Sequence, residues 1–443
     1  MPEAESPARG LRVFGAAGRY VQGPGALDEL GPQVASLSLG SQGLVLIDAF
    51  LFDALEPQIA ASFAGEAAAG TRVHCVPVSA EVTQPSIDSI ADAAPAGSDF
   101  VVGVGGGKTI DIAKGVSRRL GLRVVTVPTI ASNDSPASRA IAMYDEHHQL
   151  TAVPLMDHNP ALVLVDTLVM AGAPARFLSA GIGDALSKHF EVEATRAAGG
   201  STMQGTPGLL IASIVGEGCY RTLRANAVAA LAALKSHHAL QSGGSGGSRD
   251  SGGSGGSSSP GGPGDPGDPG DPGGPGDSGG SRGSDSSGGS GSSGHPLGQE
   301  FEDTVEAVVL LSGLAFENGG LSIAHALTRG LMAVPGASAR LHGEHVAYGL
   351  LVQLALTGAT DADLLDLAAF LAEVGLPRSL AELGVEPADA ATAPTPSPAE
   401  AAFAAIVERT LTAPHVVNVP PSTPVTAETL TSALLRVESL DAS

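Results

Sequence analysis

Between residues 43 and 165 short, continuously apolar runs alternate with stretches whose apolar residues recur every three or four positions. Gly43–Asp48 reads Gly-Leu-Val-Leu-Ile-Asp, and Arg72–Val78, Asp99–Val104, Arg123–Val127 and Ala161–Val165 share its character. Short apolar runs of this kind predict strands. Lys108–Leu120, between two of them, has the helical period. Strand-helix alternation predicts a mostly parallel sheet. Past Ala173-Pro174-Ala175-Arg176, where proline suits a helix start, only the helical period continues. The change of period places a domain boundary near Gly172. The expected architecture is an α/β domain over residues 1–172 followed by an all-α domain over residues 173–443.

One segment has neither period. Ser242–Pro296 is almost wholly Gly, Ser, Pro and Asp and holds 23 of the chain's 60 glycines, a composition that predicts a disordered insert. Its Gly-Asp-Pro triplets at Gly264–Pro272 are too few for a triple helix. The flanks, Ala227–Ala239 and Glu300–Leu314, both have the pattern of amphipathic helices. The insert therefore falls at a helix-helix junction, where added loop length costs little closure entropy.

A chain of 443 residues can build two domains with a cleft between them. The formal net charge of −23, with acidic residues spread along the chain, argues against nucleic acid or an anionic membrane face as partner and leaves a small molecule. Cys75 and Cys219 are the two cysteines, too few and too far apart for a disulfide framework. Met1–Gly10 lacks an apolar signal core, and no stretch offers the ~20 apolar residues of a membrane helix. Together these predict a cytoplasmic protein.

Chemistry enters at Val102-Gly-Val-Gly-Gly-Gly-Lys-Thr-Ile-Asp111, where a predicted strand meets a predicted helix. Glycines there let the backbone approach a phosphate, and the start of a helix favours an anion. The spacing matches neither G-x-G-x-x-G nor the P-loop, so a plain tight connection is the competing reading. Lys108 adds a cation with an evident phosphate use. Asp48, ending an earlier strand, is placed either to accept from a ribose hydroxyl or simply to face solvent. Of the twelve histidines, His147 and His148 lie in a polar turn, and His237, His238 and His295 border or lie in the insert. Asp184, His325 and His342 stand apart: one carboxylate and two imidazoles suit a catalytic divalent metal. By spacing alone an N-capping Asp and two ordinary surface or core histidines are the stronger reading.

Four motifs shift that balance. Gly105–Lys114, Val127–Pro136, Gly181–Leu186 and Leu311–Leu321 resemble bacterial glycerol dehydrogenases of the iron-containing alcohol dehydrogenase superfamily, in order and from about Phe14 to about Leu435 outside the insert. The resemblance implies a nucleotide-binding domain followed by a helical one, NAD as cofactor, a small polyol as substrate and a homo-oligomer. It puts NAD contacts at Asp48, Gly106, Gly107, Lys108, Thr109, Ile110, Thr129, Ser132, Ser138, Ala140 and Tyr144, and a substrate hydroxyl at Asp134. It makes Asp184, His325 and His342 the metal ligands and catalytic centre. Iron-dependent members add a His four residues after the Asp; Lys188 stands there, and His189 is turned ~100° away. Three ligands favour zinc over iron. His345, three residues on from His342, is its rival. The related dehydroquinate synthases and glycerol-1-phosphate dehydrogenases need cations for a phosphorylated substrate, and in sequence Arg329 and Arg340 are the nearest to the ligand segments. A non-enzymatic scaffold with the insert as an interaction arm is the remaining alternative.

Overall fold

The computed structural model describes residues 10–145, 150–243, 296–385 and 398–440. Residues 244–295 of the insert, with His295, and the His147–His148 turn lie outside them. In chain order the strands are β1 (Tyr20–Gly23), β2 (Gln42–Asp48), β3 (Arg72–Val78), β4 (Phe100–Gly105), β5 (Arg123–Pro128), β6 (Met143–Tyr144), β7 (Leu150–Ala152) and β8 (Leu162–Asp166). Six of them form one parallel sheet in the order β1-β8-β5-β4-β2-β3, while β6 and β7 pair as a small antiparallel ribbon.

The continuous apolar runs have a direct cause. Along β2, Val45 and Ile47 pack under helices α1 (Leu30–Ser36) and α2 (Phe52–Ala64). Leu44 and Leu46 point the other way, toward α3 (Gln84–Asp92) and α4 (Gly107–Leu120). Side chains alternate across a strand, so a sheet covered on both faces needs apolar residues at every position. The five expected strands are all present, with boundaries moved by a residue at most. β1 was not expected: Tyr-Val-Gln-Gly is half-buried at a sheet edge and carries neither pattern.

Beyond the sheet come α5 (Thr167–Ala171), α6 (Ala175–Ala198), α7 (Leu210–Gly243), α8 (Gln299–Glu306), α9 (Ser312–Gly319), α10 (Ile323–Leu331), α11 (His342–Leu356), α12 (Asp361–Glu373), α13 (Pro398–Leu411) and α14 (Ala427–Leu440). Two expectations need correction. Pro174 is the N-cap of α6, in an extended conformation (ψ 133°), rather than its first helical residue. The single helix expected over 300–314 is interrupted by a π-helical turn at Ala307–Leu311. Leu234 of α7, Leu297, and Phe301 of α8 share one core, so the two helices that flank residues 244–295 in sequence pack on each other. Among the described residues no single helix is long and apolar enough to cross a membrane.

Candidate active site

Every residue of α6 from Leu178 to Lys188 is buried, which makes this helix the axis around which the site is built. Close backbone approach places its partners. A Cβ at Gly181 would strike the carbonyl oxygen of Ala131, one at Gly183 the carbonyl of Gly343, and one at Gly343 the carbonyl of Ala180. Without side chains at these points, the loop after β5 and the start of α11 close directly onto α6. Asp184 lies one residue past Gly183, and His342 one residue before Gly343.

The structure brings Asp184, His325 and His342 together: one donor atom from each lies within 4.8 Å of the others. His325 Nε2 is 3.2 Å, and His342 Nε2 3.9 Å, from Asp184 Oδ1. His345 goes elsewhere. Its Nε2 meets the Ala337 carbonyl oxygen at 2.8 Å, away from the cluster. His189 is rotated out as expected and stacks on Tyr220.

Two residues of α6 complete the cluster, and sequence reasoning gave neither a role. Glu191 is fully buried; its Oε2 pairs with His325 Nδ1 at 2.6 Å and accepts from Ser187 Oγ, while its Oε1 accepts from the backbone N–H groups of Ser322 and His325. This carboxylate fixes the imidazole with Nε2 turned toward Asp184. The signal was in the sequence, since Asp184, Lys188 and Glu191 share the i, i+4, i+7 face of one helix. Lys188 is wholly buried, and its Nζ lies 2.5 Å from Asp184 Oδ1, 3.1 Å from His325 Nε2 and 3.2 Å from Asp134 Oδ2. The cation nearest the ligand segments is thus Lys188, not Arg329 or Arg340, whose guanidinium groups bind the carbonyl of Thr412 and those of Glu382 and Leu383.

Burial and charge pull the titrations apart. Burial raises an Asp184 carboxyl, but Lys188 and the two imidazoles outweigh it and hold Asp184 below the usual range. Burial also opposes a charge on His325, yet Glu191 overrides it and lifts the imidazole to about 9. His342, at the open edge of the cluster with its side chain 45% exposed, is taken down to about 4 by desolvation together with the neighbouring His325 and Lys188 charges, against the pull of Asp184. Desolvation raises Asp134, with Lys188 opposing it. Asp134 also accepts from Ser312 Oγ at 3.3 Å, the first residue after the π-helical turn. Adjacent Gly313 has no room for a Cβ against Ala137. The wide turn therefore presents this stretch to the Asp134 loop.

Of the expected cofactor residues, Asp48, Gly106, Gly107 and Thr129 lie at the carboxyl ends of β2, β4 and β5. From β2 the chain continues to β3 on one side and from β4 to β5 on the other, so the order reverses between β2 and β4. A crevice for a ligand opens at such a switch point. Asp48 closes β2, and Gly105–Gly107 join β4 to α4. The N-cap of α4, Gly106, gives no side-chain cap, which leaves first-turn amides for an anion. A Cβ on Gly107 would press on Asn133 Nδ2 at 2.8 Å. Thr129 Oγ1, at the end of β5, is buried with no hydrogen-bond partner, an acceptor and donor that a bound molecule can satisfy. These features fit a dinucleotide. Asp48 contacts Thr109 Oγ1 at 3.5 Å, and Ser132 is half-buried in the loop before Asp134.

Others of the set are less available. Ile110 is fully buried and its N–H bonds to the Gly106 carbonyl. Lys108 Nζ is paired with Glu81 at 2.5 Å, so a phosphate would have to draw it from that carboxylate. Ser138 is buried, Ala140 offers its carbonyl to Lys114, and the Tyr144 hydroxyl is driven to about 12 by burial and the nearby Asp111 and Glu81. Lys114, missed in the sequence, is fully buried and donates to Ser135 O, Ser135 Oγ and Ala140 O. It ties the 135–140 loop to α4.

Known proteins resemble this chain in sequence and in fold. The family model of iron-containing alcohol dehydrogenase matches residues 21–174. The chain is 32% identical over 378 residues to a glycerol dehydrogenase of Escherichia coli O6:H1, covering 85% of each. It is 32% identical to a glycolaldehyde reductase of Halobacterium salinarum over 84% of this chain and 85% of that one. Among solved structures, a probable glycerol dehydrogenase from Sinorhizobium meliloti 1021 superposes with a TM-score of 0.75 at 30% identity, covering 98% of this chain and 99% of the other. With sequence and overall fold in agreement over most of both chains, the chain belongs to the iron-containing alcohol dehydrogenase family, among its glycerol dehydrogenases.

Proposed function

We propose that the chain catalyses the NAD-dependent oxidation of glycerol, or a similar vicinal diol, to the hydroxyketone, dihydroxyacetone in the case of glycerol. The observation that carries this reading is the adjacency of two carboxylates with different surroundings. Asp134 and Asp184 lie 3.2 and 2.5 Å from the same Lys188 Nζ. Neighbouring hydroxyls of one small molecule can therefore be held at once, one by Asp134 and the other at the Asp184 cluster.

The donor set fits a divalent metal: Asp184, His325 and His342 would hold it, with zinc preferred by this ligand chemistry. Such an ion supplies Lewis acidity that eases loss of a proton from a substrate hydroxyl. Bound NAD would supply the hydride acceptor. The protein's own part is positional. Asp134 accepts a hydrogen bond from the hydroxyl beside the reacting carbon. Glu191 keeps His325 in the tautomer that presents Nε2. The free amides at the start of α4 hold the pyrophosphate, and Asp48 accepts from the ribose. A phosphorylated substrate is not favoured, because the buried cation nearest the site, Lys188, is already flanked by two carboxylates.

The test is NAD reduction across glycerol, 1,2-propanediol, ethylene glycol and 1-propanol by the full chain and by Asp134→Ala. The expected result is a diol preference in kcat/KM that collapses in the variant. Equal kcat/KM for 1-propanol and 1,2-propanediol in the unaltered protein would overturn the reading. The same panel with His342→Ala and His345→Ala tests the third ligand, with loss of zinc binding and turnover expected only in His342→Ala.

A further inference from the structure

Lys188 does more than fill the space of a missing fourth ligand. Its Nζ lies beside two of the three atoms that a metal would need, donating to Asp184 Oδ1 at 2.5 Å and standing 3.1 Å from His325 Nε2, and those two atoms are themselves 3.2 Å apart. With these separations, an ion about 2.1 Å from both atoms lies no more than about 4 Å from Nζ, on whichever side of the pair it sits. A dication and an ammonium at that separation in a buried site repel strongly. They also compete for the same Asp184 oxygen. The side chain has no exposed route around this conflict, since it is fully buried against the Phe316 ring. It does have one alternative carboxylate within reach, Asp134 Oδ2 at 3.2 Å.

We propose that Lys188 is a tethered cation that occupies the metal cradle when no metal is bound and must be displaced toward Asp134 for one to enter, so that it sets the metal affinity of this chain. The inference rests on the reading of Asp184, His325 and His342 as the ligands. It carries two consequences. In the metal-free protein the ammonium offsets the buried Asp184 charge, so the three donors stay assembled without an ion. In the loaded protein it contributes a second positive group beside Asp134, at the end of the site where the neighbouring hydroxyl is held.

The experiment is a zinc titration, by competition with a chromophoric chelator, of the full-length metal-stripped protein and of Lys188→Met and Lys188→Gln. Glutamine keeps a donor for Asp184 without the charge and guards against a methionine variant that folds poorly; circular dichroism and retained NAD binding report on folding. Expected is one zinc per chain bound about 10- to 100-fold more tightly by both variants, the effect of removing one charge-assisted hydrogen bond that competes for Asp184. Metal-free Lys188→Met is also expected to melt lower than the unaltered protein and to recover on adding zinc. Equal zinc affinity in all three proteins overturns the role of Lys188. Failure of every variant to bind zinc, with His342→Ala indistinguishable from them, overturns instead the ligand assignment on which the inference rests.

Discussion

Replacing Glu191 by Gln changes one atom and no volume, and the hydrogen bonds around it decide the outcome. Oε1 receives two backbone N–H groups, from Ser322 at 2.8 Å and His325 at 3.0 Å, whereas Oε2 meets Ser187 Oγ at 3.0 Å and His325 Nδ1 at 2.6 Å. In Glu191→Gln the amide oxygen must therefore stay on the side of the two N–H groups, because turning it would leave two buried donors facing an NH2 at about 1–3 kcal/mol each. The NH2 then points at Nδ1, which has to become an acceptor, so the ring gives up its Nδ1 proton and keeps the one on Nε2. That nitrogen now donates toward Asp184 and has no lone pair for a metal. Loss of an outer carboxylate of this kind typically costs about 10- to 100-fold in metal affinity, or about 1.4–2.7 kcal/mol. Zinc competition titrations on the full chain, with kcat for glycerol measured at saturating zinc, read the effect. Zinc affinity for Glu191→Gln within twofold of the unaltered protein would refute the tautomer argument.

Two further predictions follow from the same geometry. In metal-stripped protein the His325 imidazole, raised to about 9 mainly by Glu191 against the pull of burial, stabilises the fold fully below its ordinary 6.5 and loses that contribution as pH rises through about 9. Glu191, held at about 2 by His325 and Lys188 against desolvation, contributes fully above 4.5 and loses its share as pH falls toward 2. The melting temperature of the stripped protein should therefore be highest between about pH 4.5 and 6.5 and fall on the alkaline side; Glu191→Gln should flatten that decline, and scanning calorimetry from pH 5 to 9 checks both. Gly343→Ala places a Cβ against the carbonyl oxygen of Ala180, with backbone on both sides and nothing flexible to give way. A destabilisation of about 1–3 kcal/mol by chemical denaturation is expected, together with weaker zinc binding as α11 and His342 are pushed off α6; a variant as stable as the parent would show that the helices can part freely.

What the sequence discloses and what it withholds divide along a physical line. The buried sheet was legible because a strand covered on both faces must be apolar at every position, and β2, β4 and β8 obey that rule residue after residue. β1 escaped because an edge strand of four half-buried residues has no such obligation. The π-helical turn escaped because Ala-Val-Val-Leu-Leu fits an unbroken helix equally well, and only the contacts of Ser312 and Gly313 with the Asp134 loop distinguish the wide turn. At the site, residue types and family resemblance named the donors, but nothing in the His342-Gly-Glu-His345 spacing says which histidine turns inward. That choice belongs to tertiary structure, through Gly343 lying on Ala180 and the Ala337 carbonyl engaging His345.

Lys188 shows the same limit most sharply. Read as a residue type, a lysine where relatives of the iron-dependent kind carry histidine subtracts a ligand and does nothing else. In the fold, four residues along a helix is one turn, so the ammonium of a long side chain arrives where the ligand would have gone, with a charge of the sign the metal itself would bring. Asp184, Glu191 and Asp134 converge on a small buried volume, and such a concentration of carboxylates needs positive charge whether or not an ion is present. Supplying part of that charge covalently keeps the donors assembled, at the expense of affinity for the ion. The trade is one that a chain makes by a single substitution on one helical face, and its two sides are measured separately, as the melting temperature of the stripped protein and the zinc affinity of the variants without the lysine.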